Sequence, residues 1–337
     1  MFAIKRKKHL YYLMLCCLAL PLTAANSSAA ETANDPPSAE TQENGLPADE
    51  TEEIYVENEW SYVDDSMDTS GGIPPQAEGR LGRIMETGVL RVATEPYFPP
   101  QEFIDPAREG QDRYVGADME LARLIAQRMG VELQIMEMSF NKVLEAAREG
   151  TCDLAISALA YTPGRAAVME FSKGYYFPRE GSVTGLLIRE EDKDLLTDTQ
   201  ALADKNLIAQ SGSIQEALLA DNVLRYSQFR RVESMQQVYS AVEDGTADAG
   251  AADMEAARMY IENNPDCGLI LMDGVHYSLE EQYQGDRVAA AKGELQLIYF
   301  VNGVIDEVTD SGIYDGWYEE YSHLAGTLET DPDGGNK

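Results

Sequence analysis

Histidine, cysteine and basic side chains are all scarce in this chain, and each shortage removes a class of function. Three His (His9, His276, His323) and four Cys (Cys16, Cys17, Cys152, Cys267) occur in 337 residues. No cluster with the spacing of metal ligands can be assembled from them, which excludes zinc and iron–sulfur centres and most histidine-dependent catalysis. Lys and Arg number 26 against 59 Asp and Glu, a net charge of −33. Such a surface repels phosphate backbones and anionic lipid headgroups, so neither nucleic acid nor a membrane surface is an expected partner. What remains is an ordinary soluble composition, 44% apolar and 25% charged, long enough for one large domain or two small ones.

The acid excess is uneven. Residues 1–30 hold four bases and no acid, and residues 31–79 hold fourteen acids and no base, which leaves −23 of the −33 on residues 80–337. Lys5-Arg6-Lys7-Lys8, an apolar run from Leu10 to Leu22 too short to span a bilayer, and Ser28-Ala29-Ala30 together predict an export signal over 1–30. Cys16 and Cys17 follow Leu15 and Cys16 rather than the small residue of a lipoprotein signal, so lipid anchoring stays an open alternative. Cleavage there leaves Cys152 and Cys267, expected as free buried thiols. Residues 31–79 and 326–337 cannot bury enough apolar surface to offset ordering, and are expected as a disordered acidic spacer and tail.

Between them, segments alternate. Strands are predicted at Val89 to Thr94, Val131 to Met136, Asp153 to Leu159, Ser182 to Ile188, Asn206 to Gln210, Ala247 to Ala252, Leu269 to Met272 and Arg287 to Ala291. Helices are predicted at Asp118 to Met129, Lys142 to Arg148, Thr199 to Asp204, Ser213 to Ala220, Ser234 to Glu243, Met254 to Glu262, Glu294 to Val308 and Ile313 to Tyr321. Another helix starts at Thr162-Pro163, with Thr as N-cap and Pro at the first position. This rhythm gives an α/β architecture with mostly parallel sheets, in two similar blocks.

Open parallel sheets bind ligands beyond the carboxyl ends of their strands. The segments there are Glu95 to Phe103, Ala158 to Arg165, Gln210 to Gln215 and Asp253. They offer an arginine that can grip a carboxylate bidentately, helix-start N–H groups, a carboxylate for an ammonium, and aromatic faces. That set suits a small zwitterion.

Gly88-Val89-Leu90-Arg91-Val92-Ala93-Thr94, Tyr97-Phe98-Pro99-Pro100-Gln101-Glu102-Phe103 and Tyr114-Val115-Gly116-Ala117-Asp118 resemble the opening of the extracellular solute-binding proteins, family 3, of polar amino-acid ABC transporters. Asp153 to Arg165, Phe171-Ser172-Lys173-Gly174-Tyr175-Tyr176, Gln210 to Glu216 and Ala247 to Asp253 resemble later motifs of the same family, in order, over about 85 to 323. The resemblance implies a two-lobed type II periplasmic-binding-protein fold. In it, 80–182 with 288–325 forms lobe 1, 183–287 forms lobe 2, and two hinge strands join them. It implies a monomer that captures an amino acid without a cofactor and delivers it to a membrane ABC permease, in the periplasm or at the cell surface. Carried over, Arg165 takes the α-carboxylate with the backbone N–H groups of Ser213 and Ile214. Asp253 takes the ammonium beside the Ala158 carbonyl, Phe98 and Phe140 sandwich the side chain, and Glu95 meets its polar end.

Three departures accompany it. Alanine stands at 158 and 160, where the family usually has hydroxyls; Glu95 replaces an Asp; and Asp286-Arg287 sits where Tyr-Gly is common. Two other readings remain: a cyclohexadienyl dehydratase-like enzyme, with Glu95 or Glu102 as the acid, and a ligand-sensing ectodomain.

Overall fold

A computed structural model describes residues 77–179 and 181–328, which fall within one unit. The expected export signal, nearly all of the acidic spacer and the tail beyond residue 328 lie outside the described residues. Residues 326–328 continue from the last helix as a turn, and Leu328 packs on the core.

The described chain opens with α1 (Gly79–Thr87), which carries Leu81 and Ile84 into the core. Gly88, left-handed at φ 72°, ends it and turns the chain into β1 (Val89–Thr94). Three short strands, β2 (Tyr97–Phe98), β3 (Glu102–Ile104) and β4 (Tyr114–Val115), form a small sheet of their own. Then come α2 (Ala117–Met129), β5 (Glu132–Glu137), α3 (Phe140–Glu149), β6 (Leu154–Ala160), α4 (Pro163–Ala166) and β7 (Met169–Tyr176). Gly130 and Gly150 end α2 and α3 as Gly88 ends α1: each adopts a conformation only glycine reaches without strain and donates back to the last helical carbonyls.

The second block holds β8 (Val183–Arg189), β9 (Asn206–Gln210), α5 (Ile214–Asn222), β10 (Gln228–Val232), α6 (Met235–Glu243), β11 (Ala249–Asp253), α7 (Met254–Asn263) and β12 (Leu269–Ser278). The chain then returns as β13 (Asp286–Ala291), α8 (Leu295–Ser311) and α9 (Ile313–Ala325).

Two five-stranded sheets result, ordered β5-β1-β6-β13-β7 and β10-β9-β11-β8-β12. The central strand β1 pairs in parallel with β5 and β6, and β9 with β10 and β11. In each sheet one strand, β13 or β8, runs against its neighbours. Each sheet has helices packed on it, and the buried residues of its cores are separate from those of the other. This is the expected two-lobed α/β architecture. β13 begins at Asp286, inside the first lobe's sheet, and so takes in Asp286 and Arg287, which the sequence reading had assigned to the second lobe.

The chain crosses between lobes at 177–182 and 279–285. The Gln284 side chain ties the crossings together: its Oε1 accepts from the Ser182 N–H at 2.5 Å and its Nε2 donates to the Leu279 carbonyl at 2.8 Å. Gly285 sits at φ 88°, and a Cβ there would lie 2.5 Å from the Phe177 ring.

One predicted helix is absent. Residues 199–204 form consecutive turns, because Asp198 Oδ1 accepts from the Gln200 and Ala201 N–H groups and holds the chain in an Asx turn. Cys152 is free and buried; Cys267 is free but only partly buried, its sulfur accepting from the Leu269 N–H.

Candidate functional site

The register of the first sheet builds one wall of the cleft. Val89 to Thr94 face Glu132 to Glu137 in step, and Val92 and Ala93 face Leu154 and Ala155. The latter offset, carried two residues on, sets Glu95 opposite Ser157. The Glu95 N–H donates to Ser157 Oγ at 3.1 Å, and Ser157 Oγ donates to Glu102 Oε1 at 2.9 Å. Both carboxyl residues are almost sealed from solvent, Glu95 at 2% and Glu102 at 1% exposure. Burial pushes the Glu95 carboxyl up to about 8, the Glu137 charge adding to this and hydrogen bonding from Gln210 opposing it. Burial and the Asp118 charge hold Glu102 well above the usual carboxylate range.

Asp118, in the first turn of α2, anchors the same region. It accepts from the Ala158 N–H at 2.9 Å, the Tyr175 hydroxyl at 2.8 Å and the Tyr314 hydroxyl at 2.6 Å. Ala158 itself has φ 45°, a left-handed conformation inside a strand.

Arg165 stands on α4, which Thr162 caps by accepting the Arg165 N–H at 3.1 Å and Pro163 opens. Its guanidinium donates to the Ala160 carbonyl at 2.7 Å and, across the cleft, to the Gly212 carbonyl at 2.8 Å. It also sits 5.7 Å from the Phe140 ring centre. Desolvation lowers its pKa to about 10. Two carbonyls hold it, and no carboxylate of the described residues pairs with it, so it is a desolvated cation without a counter-ion among the described residues.

From the second lobe, Ser213 caps α5 by accepting the Glu216 N–H at 3.0 Å. Its own N–H makes a long turn bond of 3.3 Å to the Gln210 carbonyl. Phe98 reaches over from the first lobe to pack on the cluster that contains Met235 and Tyr239.

These groups enclose one pocket of about 410 Å³ of atom-free space, part of it open to solvent. Glu95, Phe98, Phe140, Ala158, Arg165, Ser213 and Ile214 all line it, seven of the eight residues expected from the sequence. Asp253 is not among the lining residues. It caps α7, Oδ1 accepting from the Glu255 and Ala256 N–H groups at 3.0 Å each, and burial raises its pKa to about 6.

The remaining lining residues are Glu102, Ser157, Ala160, Gln210, Gln215 and Met235. Of these, the sequence offers Glu102 as the acid of the dehydratase-like reading and places Ala160, Gln210 and Gln215 within site segments, but it points to no role for Ser157 or Met235. Ser157 carried one signal, a single hydroxyl inside the apolar strand LAISALA.

Two α/β lobes with paired crossings and a cleft lined from both sides define a solute-binding protein. The chain belongs to the bacterial extracellular solute-binding proteins, family 3, whose profile matches residues 90–323. It is 31% identical to an amino acid ABC transporter substrate-binding protein, AbpA of Streptococcus pneumoniae Canada MDR_19A, solved bound to L-arginine. That likeness covers 73% of this chain and 99% of the other, with a TM-score of 0.64. A probable histidine-binding protein of Campylobacter jejuni is 24% identical over 70% of this chain and 85% of its own length. The arginine-binding extracellular protein ArtP of Bacillus subtilis is 25% identical over 66% and 82%.

Proposed function

We propose that this protein is exported, closes its lobes on a cationic amino acid as a monomer, and delivers it to a membrane ABC permease. The carrying observation is the polarity of the pocket: a guanidinium with no anion, Arg165, and a buried carboxyl with no cation, Glu95, line the same space. Arg165 and the Ser213 and Ile214 N–H groups take the α-carboxylate. Asp253, which caps α7 and is not among the lining residues of the pocket, is proposed to take the α-ammonium with the Ala158 carbonyl. Phe98 and Phe140 flank the aliphatic part, and Glu95 receives the cationic end. The relatives named for arginine and histidine support this ligand class. Among the described residues no helix is long and apolar enough to cross a membrane; export rests on the signal read in residues 1–30.

A thermal-shift panel tests the reading. L-arginine, L-lysine or L-histidine at roughly 100 times its Kd raises stability by about 2.7 kcal/mol, whereas dicarboxylates leave it unchanged. A shift with dicarboxylates and none with cationic amino acids refutes the ligand class. One observation favours a second reading, a dehydratase on the same scaffold: Glu95 is placed to act as a neutral acid in the cleft. Product formed from prephenate or arogenate would establish it.

A further inference from the structure

Glu95 Oε1 and Glu102 Oε2 have no hydrogen-bond partner, although both residues are nearly sealed from solvent and both line the pocket. Ser157 lies between them, accepting from the Glu95 backbone and donating to Glu102. No Lys, Arg or His of the described residues forms an ion pair with either. Two unpaired carboxylates cannot both stay ionised side by side in such a place, because burial and mutual repulsion both favour the neutral form.

We propose that the Glu95–Ser157–Glu102 unit is a proton-exchange site, so that entry of a cationic ligand end expels one proton to solvent and transport cargo is exchanged for H⁺ inside the cleft. The inference rests on the ligand class proposed above. Charge balances: the neutral carboxylic acid loses its proton to the buffer, and the incoming guanidinium or ammonium replaces that positive charge beside the carboxylate. Every element packed around Glu95 bears on this exchange. Glu102 on β3, Glu137 on β5 and Asp118 on α2 contribute acids, and Asp253 ends β11. Tyr97 on β2 and Tyr239 on α6 are neutral, and Arg165 on α4 is the pocket's cation. The surroundings are overwhelmingly acidic, and they retain the proton until a cation arrives. The upward shift of Glu95 agrees with this geometry.

Isothermal titration of the whole exported protein with L-arginine at pH 7, in phosphate and then in Tris, counts the protons released. L-glutamine serves as the probe with the same α-groups and a neutral end. Close to one more proton is expected for arginine than for glutamine. Arginine affinity should also rise up to tenfold per pH unit below about pH 8. If glutamine does not bind, the arginine value alone decides. Equal release for the two, or arginine binding that is independent of buffer and pH, overturns the exchange and leaves the ligand class standing. Failure of arginine, lysine and histidine to bind at all overturns both.

Discussion

Arg165→Ala separates the ligand role of this side chain from its structural one. In the cleft the guanidinium makes two hydrogen bonds, to the Ala160 and Gly212 carbonyls. Each bond of this kind, made by a charged donor, contributes roughly 1.5–3 kcal/mol. Against that stands the desolvation that brings its pKa down to about 10, a penalty that truncation removes. The opposing effects should leave the melting temperature within about 4 °C of the wild type. Ligand binding has no such offset. A carboxylate that meets this cation in a partly desolvated cleft loses its buried partner, which costs about 2–5 kcal/mol. That converts to roughly 30- to 4,000-fold in Kd. Isothermal titration with L-arginine, beside calorimetric melting of the free protein, reads both quantities. A Kd within about threefold of wild type refutes the carboxylate role. Collapse of the free protein's melting transition makes Arg165 a structural residue and refutes the argument from the other side.

Two further outcomes are expected. Glu95, Glu102, Asp118 and Asp286 all have folded-state pKa values above their ordinary ones, with burial the largest cause in each. The native state therefore holds more protons than the unfolded state, and their stabilisation is complete below about pH 4 and is lost as pH rises. For Glu95 alone, from 4.5 to about 8, the loss is of order 3–6 kcal/mol, so unliganded melting temperatures should fall by about 10 °C between pH 5 and pH 8; a level or rising profile refutes this. Asp253→Asn keeps a side chain that caps helices as well as aspartate does while removing the charge, so the melting temperature should hold and arginine affinity drop at least about tenfold; unchanged affinity reduces Asp253 to a helix cap.

Strong local signals carried much of the fold. The strand Val89–Thr94 was legible residue for residue because a glycine stop precedes it and four of its six residues, Val89, Leu90, Val92 and Ala93, are apolar. The helix predicted from Ser234 was equally legible, because Ser234 and Gln237 stand at capping-box spacing and both bonds of the box form. Elements decided by partners far along the chain were not. β10 (QFRRV) is mostly exposed and exists because β9 offers it an edge. β7 contains Lys173 and Gly174 and is a strand because β13 returns to pair with it after more than a hundred residues. The site divides in the same way. Arg165 announced itself through Thr162-Pro163, a local cap, whereas Ser157 and Glu102 meet only through the register of β1 on β6 and the folding back of β3. Asp253 reads in the sequence both as a carboxylate beyond a strand and as the N-cap of the next helix; in the fold the cap forms, one oxygen serving two backbone N–H groups.

The alanines at 158 and 160 remove two hydroxyls that the resemblance would place beside an ammonium, and the backbone supplies the reason the loss is tolerable. An L-residue at φ 45° costs about 1–2 kcal/mol and persists only where its surroundings over-determine it. Here Asp118 does so: it takes the Ala158 N–H together with the hydroxyls of Tyr175 on β7 and Tyr314 on α9, so three elements lock one peptide. A small side chain suits that conformation better than a β-branched threonine would. With the hydroxyls absent, polarity in the pocket falls to groups that cannot rotate away, the Ala160 carbonyl on Arg165 and the buried carboxyls behind Ser157. On the ligand class proposed above, selectivity in this cleft would shift from the ammonium common to all amino acids toward the charge at the far end of the ligand.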